Sequence, residues 1–422
     1  MERHDMKSLN QSNQRNLLWS LIVLGLLISN LAQAVYEPSQ LSDPSRRWSV
    51  DVGISGGYDD NIYSHPANDP DKKSSASTTL NPRLFVNLPL DQTFLGLRYS
   101  YDWIYYWDRI GGEKFDQNHN ADLIFSHRFN PRLQLDLTDN FRRGISPALT
   151  EIAPGVNRIL QEQGNYFFNN LTATLTYNLT RVWTLSIYNS WEYWSYDNEG
   201  TVANPGPATQ DRNIYSPGVG LNYLLSPATT LGVNLRLGIV DYDDPGPNNE
   251  KNSTSETAFL FLSHLFNPQI SAQISAGGSV TEMGDNHSSS SPYASGSFTY
   301  RYAPNGTVSI GGSYFLYTTD QNGYRTSDTL ASYLQFSHAI TPKLTGRLGV
   351  TFIHSELNDP ESGMPVGTPN PSEDSWRFNL GASYGFTRWL FGEANYEFTH
   401  GSGMGGGSYD RNRFWAGVRL TY

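Results

Sequence analysis

Seven times along the chain the same six-residue phrase recurs: a small polar residue, His or Tyr, any residue, an apolar residue, a small residue, then Pro or Arg. Its instances are Ser126–Pro131, Thr176–Arg181, Asn222–Pro227, Ser263–Pro268, Thr299–Pro304, Ser337–Pro342 and Ser383–Arg388. Each ends a stretch of alternating apolar and polar residues, and each predicts a tight reversal. An eighth, looser reversal falls at Leu88-Pro89-Leu90-Asp91. Between them lie longer connections rich in Gly, Asn, Asp, Pro and Ser, at 59–76, 108–116, 144–164, 197–211, 243–253, 283–289, 319–325, 356–374 and 401–411. Short and long connections alternate, so the chain must run up and down with all short turns at one end.

The alternation itself is that of strands with one greasy and one wet face. Leu231, Val233, Leu235, Leu237 and Ile239 interleave with Gly232, Asn234, Arg236 and Gly238, and Leu133, Leu135 and Leu137 with Gln134, Asp136 and Thr138. Counting such stretches predicts about 18 strands, with about 16 as the alternative, each long enough to cross a bilayer at a tilt. An open sheet of this length would leave two unpaired edges, whereas closure pairs every backbone group. The expected fold is therefore all-β: one transmembrane antiparallel β-barrel over residues 47–422. An even strand number puts both termini beside the short turns, on the expected periplasmic side.

The two ends of the chain agree. Residues 1–34 read as a signal peptide, with Arg3, Lys7 and Arg15 ahead of the apolar run Leu17–Ile28 and small residues at Ala32-Gln33-Ala34. A short periplasmic segment, 35–46, follows. The last nine residues alternate again, and Gly417, Leu420 and the terminal Tyr422 are similar to the signal read by the outer-membrane insertion machinery. That places the protein in the outer membrane of a diderm bacterium, with outer-membrane lipid, lipopolysaccharide and the insertion machinery as partners.

Composition excludes other classes. There is no cysteine, so disulfide scaffolds and thiol chemistry are out. A net charge of −11 without a basic patch argues against nucleic acid. A mean hydropathy of −0.48 is compatible with a barrel, whose apolar band occupies only every second residue. The Ser-His pairs of the repeat suggest no site: His127, His264 and His338 share a face with leucines and phenylalanines, and Tyr177, Tyr223, Tyr300 and Tyr384 replace them in other repeats. This reads as an interfacial aromatic girdle, spread too widely to gather a metal. No catalytic, cofactor or metal set is expected, and no enzyme.

The wet face lines a lumen. Parity turns inward Arg98, Asp102, Asp122, Arg128, Asp136, Arg142, Arg236, Arg301, Arg347, Arg377, Glu393, Arg413 and Arg419, a mixture of signs from which strong ion selectivity is not expected. Phe85, Tyr106, Tyr188, Trp194, Tyr293, Phe315, Tyr333 and Trp415 also point inward, either to stack on sugars or to pack beneath loops. The connection Ile145–Gly164 is unusually apolar and carries Pro147, Pro154 and a short-helix pattern at Val156–Glu162. As the third outer loop it is expected to fold inward as a constriction bearing Pro154, Arg158 and Glu162, or else to lie on the rim or a neighbouring subunit.

The segment Gly57-Tyr58-Asp59-Asp60-Asn61-Ile62-Tyr63 resembles a family of β-barrel porins often encoded with exopolysaccharide-secretion genes. That resemblance implies an outer-membrane channel that passes small solutes or assists exopolysaccharide export together with polysaccharide-export components. It implies no catalytic residues. The alternative function is a structural or adhesive barrel whose outer loops bind surface polymer. Asp59 and Asp60 suit either a divalent cation or an Asx-rich turn.

Overall fold

The small residue of the repeated phrase caps six of the seven reversals, Ala303 being the exception. In the computed structural model, the backbone N–H groups of Arg132 and Leu133 donate to Asn130 Oδ1 at 2.8 and 3.1 Å, and those of Gln269 and Ile270 to Asn267 Oδ1 at 2.8 and 3.0 Å. Thr180, Thr341 and Thr387 accept from the following backbone in the same way through Oγ1. These side chains satisfy amides that a two- to four-residue turn leaves unpaired, which is why the position favours Asn, Thr or Ser. The structure describes residues 46–109, 114–144, 149–153, 156–159, 165–197, 211–244, 251–318, 324–360, 371–402 and 408–422. The expected signal peptide and nearly all of the segment 35–46 lie outside them.

The strands are β1 Trp48–Asp59, β2 Ser75–Pro89, β3 Thr93–Tyr106, β4 Phe115–Asn130, β5 Leu133–Gly144, β6 Leu149–Ala153, β7 Val156–Ile159, β8 Tyr166–Asn178, β9 Trp183–Tyr196, β10 Arg212–Ser226, β11 Thr229–Tyr242, β12 Ser253–Asn267, β13 Ile270–Met283, β14 Ser288–Ala303, β15 Gly306–Thr318, β16 Tyr324–Ala339, β17 Leu344–Pro360, β18 Ser372–Gly385, β19 Leu390–Ser402 and β20 Tyr409–Thr421. All but β6 and β7 join one 18-stranded antiparallel sheet, closed by pairing of β1 with β20. The expected count and topology hold, and every predicted tight reversal is a short turn. Strand β17 runs to Pro360, into what the sequence suggested was loop, because Asn358, Leu357 and Glu356 pair with β16.

The long connections bring one correction and, at Asp59, the Asx turn of the two alternatives, with the Asn61 N–H donating to Asp59 Oδ1 at 3.0 Å. Residues 156–162 do not open with a helix: β6 and β7 pair as a hairpin, Leu149 opposite Ile159 and Thr150 opposite Arg158. The β-branched Thr150, Ile152, Val156 and Ile159 flank Pro154-Gly155, and that composition favours a hairpin over a helical turn. The Gly57–Tyr63 segment has its carboxylates committed elsewhere. Asp59 receives Arg411 Nη2 at 2.6 Å, and Asp60 receives the Asn412 backbone and side-chain N–H groups, each at 2.7 Å. The motif is thus a clasp between first and last strands, which disfavours a cation there. At the other end of this seam Val50 and Tyr422 exchange backbone hydrogen bonds, and Trp48 stacks on Tyr422 at 5.6 Å.

The outward face is apolar and exposed, as at Ile54, Leu235, Leu260, Ile274, Ile310 and Leu380. A continuous exposed belt of such residues suits lipid and not water. Near the short turns the belt becomes aromatic: His127 lies against Phe129 at 4.5 Å, His264 against Phe266 at 4.4 Å and Tyr384 against Phe386 at 5.1 Å. The histidines face outward, as parity predicts, and Nδ1 of each meets a hydroxyl: Thr93 for His127, Thr229 for His264 and Tyr302 for His338.

Candidate solute passage

Because residues opposite one another in an antiparallel ladder share a face, register alone assembles the lumen wall. Two unlike halves result. From β17 through β20 and on to β5 the wall is ionic. Arg98 stands opposite Asp122 and bonds it at 2.5 Å, and Arg142 reaches the same carboxylate at 2.7 Å. Glu397 stands opposite Arg413 and is hydrogen-bonded to it. Arg419 is 1% exposed, hydrogen-bonded to Glu393 and 3.8 Å from Asp51. Asp102 accepts from Asn81, and Asp136 from Gln134 at 2.9 Å. Arg347 and Arg377 face inward on this half, opposite Gly381 and Thr351.

From β9 to β16 the wall is built mainly of hydroxyls, glycines and rings, with Glu192, Arg212, Arg236 and Arg301 among them. Thr257 and Ser279 bond across β12 and β13 at 2.9 Å, and Thr299 and Ser309 across β14 and β15 at 3.1 Å. Inward glycines act as saddles for neighbouring rings. The Tyr188 ring fills the space in which a Cβ at Gly218 would sit, Phe261 does so over Gly232, and Tyr333 over Gly311. Phe259 and Tyr293 meet at 4.9 Å across Gly277, which pairs with both. Rings laid flat on a wall turn one face toward the lumen.

The two readings of the inward aromatics therefore divide by position. Trp194 is fully buried in a cluster with Tyr166, Phe168 and Tyr196, and Arg212 lies over its ring at 5.5 Å. Tyr106 is buried beneath Arg109, 4.2 Å from its ring. Both lie at the long-loop end and serve packing. Tyr188, Tyr293 and Tyr333, deeper in the barrel, stay partly exposed. Around that long-loop end Ser253, Met283, Arg325, Leu357 and Glu373 are buried too. Beside them, in the β13–β14 connection, burial alone would raise the Asp285 carboxyl, but the His287 backbone N–H and Arg325 hold it below the usual range.

Register also exposes inward charges that the parity reading missed: Asp51, Arg83, Asp116, Glu192, Arg212, Glu397 and Arg411. Glu397 lies two residues beyond Asn395 and four beyond Glu393, and it obeys the same parity, so a more complete scan finds it. Asp51, next to Val50 and Val52, is legible in the same way. Of the expected constriction residues, Arg158 sits on β7, while Pro154 and Glu162 lie outside the described residues. Strand β7 comes within 8 Å, Cα to Cα, of β16. Among the described residues no group of three His, Asp or Glu is placed to hold a metal, and no helix is long and apolar enough to cross a membrane.

The family described as "Putative beta-barrel porin 2" matches residues 49–422. The chain belongs to this porin family. No curated protein matches the porin in sequence. Among solved structures it is similar to Acinetobacter baumannii OccAB4, with 11% identity, a TM-score of 0.45 and coverage of 92% of this chain and 100% of that one. It is also similar to the outer membrane protein opdK from Pseudomonas aeruginosa (10% identity, TM-score 0.45, 89% and 99% coverage) and to OccK9 (OpdG) of that bacterium (10%, 0.46, 90% and 99%). The porin has a porin-like β-barrel channel fold.

Proposed function

We propose that the porin spans the outer membrane of a diderm bacterium, with its termini and short turns in the periplasm. There it forms a water-filled passage for small solutes, specialised toward assisting exopolysaccharide export beside polysaccharide-export components. The carrying observation is the division of faces around the 18-stranded sheet: a mainly apolar, exposed outside and a mainly polar inside, with Arg128, Arg236 and Arg301 open to water toward the short-turn end and mid-barrel. A saccharide specialisation is supported by the hydroxyl and ring wall of β9–β16, because flat rings and hydroxyls complement the CH faces and OH groups of sugars. Burial of inward side chains around the long-loop end favours, as the second reading, a structural or adhesive barrel closed at that end.

The β6–β7 hairpin separates the two. It arises between β5 and β8, and β16, which it approaches, stands on the opposite side of the ring, which supports the reading of the hairpin as a constriction. Replacing residues 146–163 with a short Gly/Ser linker is expected to raise single-channel conductance in planar bilayers severalfold, with heat-modifiable folding retained. Unchanged conductance in a folded barrel would place the hairpin outside the passage. Absence of current in both proteins would favour the adhesive reading.

Insertion rests on the last strand. Gly417 packs so closely on Ile54 and Ser55 of β1 that a Cβ there meets backbone, Leu420 faces lipid, and Tyr422 is 76% exposed beside Trp48. Tyr422→Ala is expected to lower the outer-membrane level severalfold in cell fractionation, with the missing protein degraded in the periplasm. Wild-type amounts of heat-modifiable barrel would remove the insertion role of Tyr422.

A further inference from the structure

We propose that the middle of the lumen carries a subsite for an acidic sugar, formed by Arg236 with Tyr188 and the Phe259–Tyr293 ring pair. The proposal rests on the passage reading above and adds the class of solute that the passage holds.

Charge supplies the first observation. Arg98, Arg142, Arg411, Arg413 and Arg419 are each bonded to a carboxylate, and their carboxylates are spent on them. Arg236 is different. It projects inward from mid-strand, is exposed, and no described carboxylate pairs with it. Arg128 and Arg301, nearer the short turns, are likewise exposed and without a carboxylate partner among the described residues. The charge available to a solute in this part of the lumen is positive, although the inventory of side chains is mixed. A guanidinium in a confined aqueous passage binds carboxylates by paired N–H donors.

Position supplies the second. Gly218 pairs with Tyr188 on one side and Arg236 on the other, so the missing side chain lets the Tyr188 ring lie across β10 toward Arg236, its hydroxyl 2.6 Å from where a Cβ would be. Tyr293 as well as Arg236 lies within electrostatic reach of that hydroxyl. One row nearer the short turns, Phe259 and Tyr293 pair over Gly277. Ser279 continues the Arg236 row, opposite Thr257, which itself stands opposite Arg236. Ring faces for CH groups, a hydroxyl for OH groups and a free guanidinium for a carboxylate thus face one stretch of lumen. A neutral sugar would leave the guanidinium unused; a simple anion would leave the rings unused.

The test uses the full-length protein in planar bilayers, with KCl current as the measure of an open passage, and isothermal titration of the detergent-solubilised barrel as a measure of binding that needs no current. Trigalacturonate, maltotriose and acetate are the probes. Trigalacturonate is expected to interrupt current, and to bind, at concentrations at least about tenfold below the other two, a factor of ten being about 1.4 kcal/mol. Arg236→Gln should abolish the preference over maltotriose, whereas Tyr188→Ala should weaken both sugars and leave acetate unchanged. Equal action of the three probes on a conducting channel, or a trigalacturonate preference that survives Arg236→Gln, overturns the subsite. Arg236-dependent binding to a barrel that passes no current upholds the subsite and overturns the passage; no binding to either overturns the subsite.

Discussion

Replacing Arg419 with alanine is expected to destabilise the barrel by about 3–5 kcal/mol, the usual consequence of removing one partner from a buried ion pair. Arg419 sits on the closing strand β20 between Glu393 of β19 and Asp51 of β1, all three buried, so its loss removes the cation that bridges two buried carboxylates and leaves Arg83, opposite Asp51 in the register, to offset part of their charge. The defect falls on the seam where the sheet closes and should appear in urea unfolding from lipid vesicles as a lowered midpoint. Adding Asp51→Asn and Glu393→Gln should recover much of the loss, because the uncompensated charges go with them. A single mutant within about 1 kcal/mol of wild type, the range of exposed pairs, would show that the triad is solvated and not structural.

Leu235→Arg should cost about 2–4 kcal/mol, whereas Asn234→Arg, one residue away, should cost far less. Leu235 is 52% exposed on the outer face at the middle of β11, opposite Val219 and Ala258, where a guanidinium would meet hydrocarbon. Asn234 faces the lumen beside Gly220, where the longer side chain can extend into water. The comparison holds strand, depth and substitution constant and varies only the face. Equal destabilisation of the two variants in the same vesicle assay would refute the assignment of faces.

These two predictions draw on different kinds of information. The second is legible in the local alternation alone: Val233, Leu235 and Leu237 against Asn234, Arg236 and Gly238 declare their faces because the pleat has a period of two and is a local property. The turns are equally local. Asn130, Thr180, Asn267 and Thr341 cap their own next amides, so their phrase marks seven of the eight short reversals without knowledge of partners. From faces and turns the strand count and the up-and-down order follow.

The first prediction needs the structure. Nothing in Phe414–Tyr422 says that Arg419 meets Asp51, which lies at the far end of the described chain; only closure with its particular stagger brings them together. The same is true of the lumen as a whole. Sequence determined that acids and bases of both signs face inward, and on that count no strong selectivity was expected. Tertiary register decided that Asp122 is shared by Arg98 and Arg142 while Arg236 keeps no described carboxylate, so the pairing settles which inward charges are neutralised without changing one inward residue. The short-helix pattern at Val156–Glu162 likewise gives way to pairing of Val156–Ile159 with Leu149–Ala153, a partnership that the periodicity of the one segment alone does not reveal. Faces and reversals depend on neighbours within a few residues; ion pairing, closure and the approach of β7 to β16 depend on which strands stand side by side, and that is set by the closed sheet.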